Sequence, residues 1–470
     1  MSLGETVRGR GRLQTLPLPA PVLKALESIL GTSGEGATQR AALFAFLIRV
    51  ASAGIAYLSQ VFLARWMGSF EYGIFVFVWV WVLILGGLAP LGFSTTVVRF
   101  IPEYTESGKK DFLRGMLLGA PLLCVGVSTL VTMTVLASLA GFGHLMEGYY
   151  LLPAILIAFC LPLYTLVDIQ DGIARGYGWV DIALLPPYIL RPLLILATML
   201  AAYMLGFEAD AVTAAGAAVV ACWLTGVVQY LFLRQRIRHQ VPAGPRSYEF
   251  GLWMRISLPI LLVASFDMMM QNTDILVLSH FMTPDKVAIY FAALKSMALI
   301  SFVNFAVGTA VAKQFPELKA RNDHEGLART ARRAAHWVFW PTLAGAAIIL
   351  AIGQPLLWMF GKDFVAGYPV MFILALGFLA HASVGPVEFV LNMLGEQNRC
   401  AMVLFGAAGL NITLNFLLIP VFGLTGAAIA TAGSSAMAAL LMAIIAKKHL
   451  GLDLFIAWPV RRAKDQEESR

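Results

Sequence analysis

Long, continuous apolar runs dominate this chain and leave it few ways to fold. Twelve can be drawn, over 42–66, 72–98, 115–140, 149–174, 180–205, 212–233, 257–281, 287–312, 336–360, 366–391, 400–420 and 423–446. A helix needs roughly 20 mostly apolar residues to cross the hydrocarbon core of a bilayer. Lipid offers the backbone no hydrogen-bond partner, so only helices and closed barrels span it. Barrel strands alternate apolar and polar residues, whereas these runs are unbroken. The expectation is therefore an all-α polytopic membrane protein with twelve transmembrane helices. Composition agrees, because only 13% of the 470 residues are charged and 59% are hydrophobic, against about 25% charged in a soluble chain. That excludes a soluble enzyme and a disordered chain. The net charge of +7 does not suggest a nucleic-acid partner, since such proteins are rich in charge.

The positive residues set the topology. Of 34 Lys and Arg, three (Arg65, Lys286, Lys362) fall in loops on one side and three (Arg49, Arg191, Lys295) inside runs. All the others fall on the opposite side. Cytoplasmic loops carry the excess of Lys and Arg, so both termini are expected in the cytoplasm. Residues 1–40 have no long apolar run and hence no cleaved signal peptide. They read as a disordered cytoplasmic tail with a short amphipathic stretch, Pro21 to Leu30. Residues 450–470 read as a second tail. The cysteines Cys124, Cys160, Cys222 and Cys400 are scattered, with no metal or redox spacing.

Two segments repeat. Val97-Val98-Arg99-Phe100-Ile101-Pro102-Glu103 and Val311-Ala312-Lys313-Gln314-Phe315-Pro316-Glu317 both read Val-x-basic-x-x-Pro-Glu. Gly216-Ala217-Ala218-Val219-Val220-Ala221 likewise resembles Gly426-Ala427-Ala428-Ile429-Ala430-Thr431. The displacements are nearly equal, so the chain reads as two six-helix bundles, 41–235 and 257–449, joined by a cytoplasmic linker at 236–256. Six spans is an even number, so the repeats are parallel and enclose a central cavity. Two bundles about a cleft can rock in alternating access. A channel would show a filter and an ATP-driven pump a Walker A sequence. Neither motif is present, and no enzymatic activity is expected.

Ionisable residues inside a membrane span are costly unless paired or wet, which marks them as functional. Arg49, Arg191 and Lys295 are the cations. Each has a bland alternative: snorkelling for Arg49 and Lys295, an acidic partner for Arg191. Together they would make a basic central cavity that binds substrate. Arg99 and Lys313, at matching ends of the two halves, would attract the substrate headgroup or simply anchor topology. Asp267, Gln271 and Asp274 are spaced to share one helix face, with Asn272 beside them. Asp267 and Asp274 are candidates for coupling to Na⁺ or H⁺, or counter-charges to the cavity cations. Gln271 and Asn272 are candidate substrate contacts. Asp168, Asp171, Glu388 and Asn392 sit near inner ends, where solvation accounts for them. Gln60, Asn304, Asn411 and Asn415 suit helix–helix hydrogen bonds, and Met268-Met269-Met270 suits packing.

Met67-Gly68-Ser69-Phe70-Glu71-Tyr72-Gly73, Gly92-Phe93-Ser94-Thr95 and Arg99-Phe100-Ile101-Pro102-Glu103-Tyr104 together resemble the Wzx-type polysaccharide flippases. These lie within the superfamily that also holds MATE exporters and lipid II flippases. Thr273-Asp274-Ile275-Leu276 and Val287-Ala288-Ile289-Tyr290 are similar to the family's span 7–8 entry. The resemblance covers about residues 41–449. It departs at Gly68-Ser69, where the family often has Gly-Pro, and in the long basic N-terminal tail.

The resemblance implies transport of an undecaprenyl-diphosphate-linked oligosaccharide from the cytoplasmic to the periplasmic leaflet of a bacterial inner membrane. It implies no cofactor beyond a coupling ion. Its partners would be the lipid-linked oligosaccharide, membrane lipids, a polysaccharide polymerase and chain-length machinery. A lipid II flippase shares the chemistry, but many have two additional spans. A MATE-type exporter shares the plan, but its substrates are often organic cations and call for an acidic cavity. A glycosyltransferase or polymerase would need large outer loops, and those here are short.

Overall fold

The computed structural model describes residues 34–312 and 314–456, with side chains from Ile48 onward. The amphipathic stretch at 21–30, Lys313 and residues 457–470 lie outside the described residues. Every regular element among the described residues is helical. In the first half these are α1 (Gly34–Leu88), α2 (Phe93–Glu106), α3 (Lys110–Phe142), α4 (Gly148–Ala158), α5 (Leu161–Gly176), α6 (Val180–Leu185), α7 (Arg191–Met204) and α8 (Ala211–Gln240). In the second half they are α9 (Phe250–Phe281), α10 (Pro284–Ala298), α11 (Ser301–Val311), α12 (Gln314–Ala320), α13 (His324–Ala351), α14 (Gly353–Trp358), α15 (Tyr368–Ala382), α16 (Val387–Met393), α17 (Gln397–Phe422) and α18 (Leu424–Leu450). Short 3-10 turns lie at Gly143–Leu145 and Asp363–Gly367.

Among the described residues, ten helical segments are long and apolar enough to cross a membrane, or eleven when the bent pair α4 and α5, meeting at 46°, counts as one span. The chain is a multi-pass membrane protein. The sequence suggests twelve spans; with the bent pair counted, the difference falls in the first segment, Ile48–Glu106, whose 59 residues take in most of the run 42–66 and all of 72–98. A straight helix would put Gln60 and Tyr72 about 18 Å apart along its axis. Instead the Tyr72 hydroxyl donates to Gln60 Oε1 at 2.8 Å. The chain reverses at Gly68, whose φ of 78° and ψ of 173° interrupt the helix. Only glycine takes that conformation without strain.

The two halves meet unequally along their length. At the Gly68 end they share one hydrophobic core, which includes Tyr72, Phe75 and Val78 from the first half and Val287, Phe291 and Phe364 from the second. A Cβ on Gly73 would collide with the Pro284 carbonyl, so α1 and α10 touch backbone to backbone. The Tyr57 hydroxyl and Ser296 Oγ are 3.0 Å apart. Arg65 Nη1 donates to the Trp358 carbonyl at 2.9 Å, and Ser69 Oγ to Asp363 Oδ2 at 3.4 Å. At the other end the cores are separate. Phe93, Phe100, Tyr104, Ile169 and Trp253 pack in one, and Phe315, Val390, Cys400 and Met442 in the other. The molecule is pinched at the Gly68 end, where the halves share one core, and toward the end that carries the 241–249 linker each half keeps a core of its own.

Helix α9 joins the halves as well as belonging to the second. Near its start, Trp253 Nε1 donates to the Tyr104 hydroxyl at 2.9 Å and Ser257 Oγ to Thr96 Oγ1 at 2.7 Å, both on α2. Farther along, Phe266 packs on Phe405 at 4.7 Å between ring centroids, and Phe281 on Phe416, both on α17. The pinch is directly testable. Paired Ser69→Cys and Asp363→Cys substitutions should form a disulfide under mild oxidation, recovered as a linked peptide by mass spectrometry. Two inserted, fully reducible thiols that never link would show that the halves do not meet there.

Candidate functional site

Helix α1 after its first turns, the returning arm of the same hairpin, and the segment from Pro186 to Ile195 enclose a cavity of about 280 Å³ in the first half. Its polar and aromatic lining includes Arg49, Gln60, Trp79, Tyr188 and Arg191, with Phe302 reaching in from the second half. Local chemistry explains the shape. Pro187 and Pro192 lack a backbone N–H, and residues Pro186–Leu190 form a π-helical turn between α6 and α7. Such turns widen the helix and are frequent at functional sites. This one carries Tyr188 to the cavity wall, one turn from Arg191.

Both arginines face aromatic rings. The Arg191 guanidinium lies 4.5 Å from the Tyr164 centroid and 6.0 Å from that of Trp79. Arg49 lies 5.0 Å from Tyr188 and 5.4 Å from Phe305 on α11. Among the described residues, no carboxylate oxygen approaches either guanidinium within 4.0 Å. The nearby Asp171 is taken by Arg175, at 3.0 Å. Asp168 is placed where it feels the charges of Arg175 and Arg191. Cation–π contacts offset part of the desolvation of a guanidinium, and its planar fork of N–H donors suits a planar or tetrahedral oxyanion.

Lys295 does not line this cavity. It sits on α10 with its ammonium 5.0 Å from the Phe291 centroid, within electrostatic reach of Asp274 but not ion-paired with it. The structure therefore unites Arg49 and Arg191 and sets Lys295 apart. Arg99 is exposed and faces Glu103 one turn away at 3.8 Å.

The polar stripe on α9 divides in two. Asp267 and Gln271 are exposed and bonded to each other, Gln271 Nε2 donating to Asp267 Oδ2 at 2.9 Å. Asp274 is 1% exposed. It accepts from the Tyr290 hydroxyl at 2.7 Å, from the Ile275 N–H at 2.9 Å and from Thr431 Oγ1 at 3.4 Å. Asn272 is buried, and its side chain donates to the Met268 carbonyl of its own helix. Glu388 stands 3.6 Å from His381 Nε2. Asn411 donates to Ser434 across α17 and α18 at 3.0 Å, a helix–helix bond of the expected kind. All four cysteines are free and buried, and the described residues hold no cluster of three or more metal-ligating side chains.

The aromatic partners Trp79, Tyr164, Tyr188 and Phe305, and the acid-binding hydroxyls of Tyr290 and Thr431, are not singled out by the sequence. Tyr188 carried a signal, the prolines around it. Thr431 carried another, since it closes the repeated Gly-Ala motif.

A model of the polysaccharide biosynthesis protein family matches residues 39–317. The chain belongs to that family. A MatE model also matches residues 259–417. An uncharacterised membrane protein of Methanocaldococcus jannaschii is 22% identical over 407 residues, covering 81% of this chain and 78% of the relative. A putative O-antigen transporter of Shigella flexneri is 24% identical over 291 residues, 58% of this chain and 64% of that protein. Among solved structures, an inward-facing multidrug-resistance MATE transporter of the MOP superfamily superposes with a TM-score of 0.72 at 15% identity, covering 86% of this chain and 98% of the other. The lipid II flippase MurJ, in an inward closed conformation, gives 0.70 at 14% identity, covering 86% and 88%. Such low identities establish the fold, which is that of MOP-superfamily membrane transporters.

The Asp274 cluster gives a stability prediction. Tyr290→Phe removes a donor to a buried carboxylate and should lower stability by about 1–3 kcal/mol. A thermal unfolding series in detergent, with Tyr57→Phe as the comparison at a half-buried hydroxyl, measures it. Equal melting of wild type and Tyr290→Phe would mean that the bond contributes nothing.

Proposed function

We propose that this transporter flips an undecaprenyl-diphosphate-linked oligosaccharide from the cytoplasmic to the periplasmic leaflet by alternating access. The observation that carries the reading is the pair of arginines without a carboxylate partner in one aromatic-walled cavity. A diphosphate supplies two anionic groups to Arg49 and Arg191. Arg–phosphate contacts are strong because they are charge-assisted and often bidentate. Polar glycan would lie in the cleft and the polyprenyl chain in the bilayer. With the linker end cytoplasmic, as the distribution of Lys and Arg suggests, the end where the halves keep separate cores faces the leaflet where such lipids are assembled. Family membership and the putative O-antigen transporter among the relatives support the substrate class. A lipid II headgroup carries the same diphosphate and would satisfy the same arginines.

Arg99 and Lys313 are left with the weaker role of drawing anionic headgroups to the cytoplasmic surface. Gln271, beside Asp267 on the exposed face of α9, is available to glycan hydroxyls. Asn272 is bonded into its own helix and is a poorer candidate. Polymerase and chain-length machinery remain proposed partners on the periplasmic side.

The membrane potential favours this direction. The cytoplasm is negative, and each elementary charge moved across 100 mV is worth about 2.3 kcal/mol, so an anion moving outward runs downhill. An inward Na⁺ or H⁺ bound at Asp274 would add to that drive. Asp267, exposed and bonded to Gln271, is the weaker coupling candidate.

Two predictions follow from the charges. Arg191→Glu should abolish export with the protein still inserted, detected as undecaprenyl-linked sugar accumulating on the cytoplasmic leaflet. Full complementation of an export-deficient strain by Arg49→Glu and Arg191→Glu together would remove the basic-cavity reading. Asp274→Asn should make export insensitive to the Na⁺ and pH gradients. If its response to those gradients matches wild type, Asp274 is not the coupling site.

A further inference from the structure

Helix α13 is two-faced over its first half. Leu327, Ala331, Ala334 and Val338 are buried, at positions i, i+4, i+7 and i+11 that share one side of a helix. The first three join the separate core of the second half, with Val311 and Val387. The opposite side carries Arg329, Arg333, His336 and Trp340 at the same spacing, flanked by Arg332 and Trp337. Arg329, Arg333 and His336 are exposed, as are Trp337 and Trp340, by 56% and 58%. None of the six lines the arginine cavity.

Several cations at the linker end already have partners. Arg114 pairs with Asp111, Arg236 with Asp181 and Arg399 with Glu396, and Lys319 donates to the Leu394 carbonyl at 2.6 Å. Among the described residues no carboxylate comes within 4.0 Å of Arg329, Arg332 or Arg333. Arg329 Nε meets the Glu325 carbonyl, at 3.4 Å. Arg332 Nε is buried with no hydrogen-bond partner. An unmet buried donor between two uncompensated guanidiniums calls for an anionic acceptor. Depth says which kind. The apolar run of α13 begins at residue 336, and a headgroup layer is about 5–8 Å thick. At 1.5 Å per residue, Arg332 and Arg333 stand about 4–6 Å outside the hydrocarbon and Arg329 about 10 Å outside. Trp337 and Trp340 fall just inside that boundary, where indole rings gather in membrane proteins.

We propose that this face of α13 is a binding site for one anionic phospholipid of the surrounding leaflet, of the phosphatidylglycerol type. Arg329, Arg332 and Arg333 hold its phosphodiester, since guanidinium and phosphate match in charge and geometry. Trp337 and Trp340 pack on the glycerol and the first methylenes of the chains, amphipathic rings at an amphipathic boundary. A zwitterionic phospholipid brings its own ammonium to the phosphate and serves three arginines less well. The occupant is a bilayer lipid rather than the exported one, because the arginines assigned to the diphosphate are in the cavity of the first half. Every contact of the site lies on one helix of the second half, so the lipid travels with that half when the bundles rock.

The test uses the full chain, delipidated in a neutral detergent and titrated with phosphatidylglycerol or with phosphatidylcholine, bound lipid being counted by native mass spectrometry. Wild type should retain one phosphatidylglycerol in preference to phosphatidylcholine. Arg329→Gln, Arg332→Gln and Arg333→Gln together should weaken that binding about ten-fold. Lys109→Gln, Lys110→Gln and Arg238→Gln together remove the same charge from exposed positions of the first half and should leave it unchanged. Trp337→Ala with Trp340→Ala, all charges intact, should weaken it several-fold. If the α13 triple variant melts lower than wild type without lipid, Arg333→Gln alone, on an exposed residue, must still weaken binding. Equal weakening by the two triple variants, or no preference for phosphatidylglycerol in wild type, would overturn the site. So would an α13 triple variant that keeps phosphatidylglycerol but loses undecaprenyl diphosphate, which would give this face to the cargo.

Discussion

Lipid gives a polypeptide backbone nothing to hydrogen-bond with, and the rest of this structure depends on that constraint. It turns the apolar runs into helices and makes every interruption of a helix conspicuous. Several interruptions fall within the candidate spans of the described residues, turns at 89–92 and 299–300 among them, and three others matter here. One is the bend between α4 and α5, another the π-helical turn at Pro186–Leu190, and a third the break between α15 and α16. The second lies beside the arginine cavity and the third beside the His381–Glu388 pair. Irregular backbone and intramembrane charge occur together because each needs the same shelter from lipid.

Charge is sorted between the halves. The first half presents Arg49 and Arg191 without an ion-pair partner and keeps Asp171 occupied with Arg175. The second leaves Asp267 exposed, sets Glu388 beside His381, buries Asp274 under two hydroxyls and holds Lys295 within electrostatic reach of it. A cavity lined uniformly by cations would hold a diphosphate well and release it poorly. Among the described residues no carboxylate is within ion-pairing distance of the two arginines, so they and the acids of the second half do not neutralise each other.

Much of this was legible in the sequence, because membrane helices announce themselves by length and apolarity. The runs, the positive-side bias and the polar stripe of Asp267, Gln271 and Asp274 on one helix needed no tertiary information. Others did. Arg191 and Lys295 look alike in sequence, each a lone cation in an apolar run. Tertiary placement separates them: Arg191 lines the cavity of the first half, whereas Lys295 sits on α10 beside Phe291 and within reach of Asp274. Asp267 and Asp274 share a helical face by spacing, yet one is exposed and the other is covered by Tyr290 of α10 and Thr431 of α18. The aromatic partners of the arginines were hidden for a similar reason. Trp79 and Tyr188 are ordinary residues for a membrane helix until the hairpin at Gly68 and the π-helical turn bring them together.

The two arginines are not equivalent, and the difference bears on how occupancy is converted into movement. A ligand shifts a two-state equilibrium only as far as its affinities for the two states differ. Arg191 touches Tyr164 and Trp79, both in its own half, so its surroundings survive a rocking of one bundle against the other. Arg49 is held between Tyr188 of the first half and Phe305 of the second, so its surroundings change when the halves move. An anion bound to both draws its affinity from Arg191 and its difference between states from Arg49. At the opposite end Arg65 makes the matching contact, its guanidinium 4.7 Å from the Trp358 ring of the second half. Both contacts join the halves through one arginine and one aromatic ring, each worth only about 0.5–2 kcal/mol and weak enough to be exchanged.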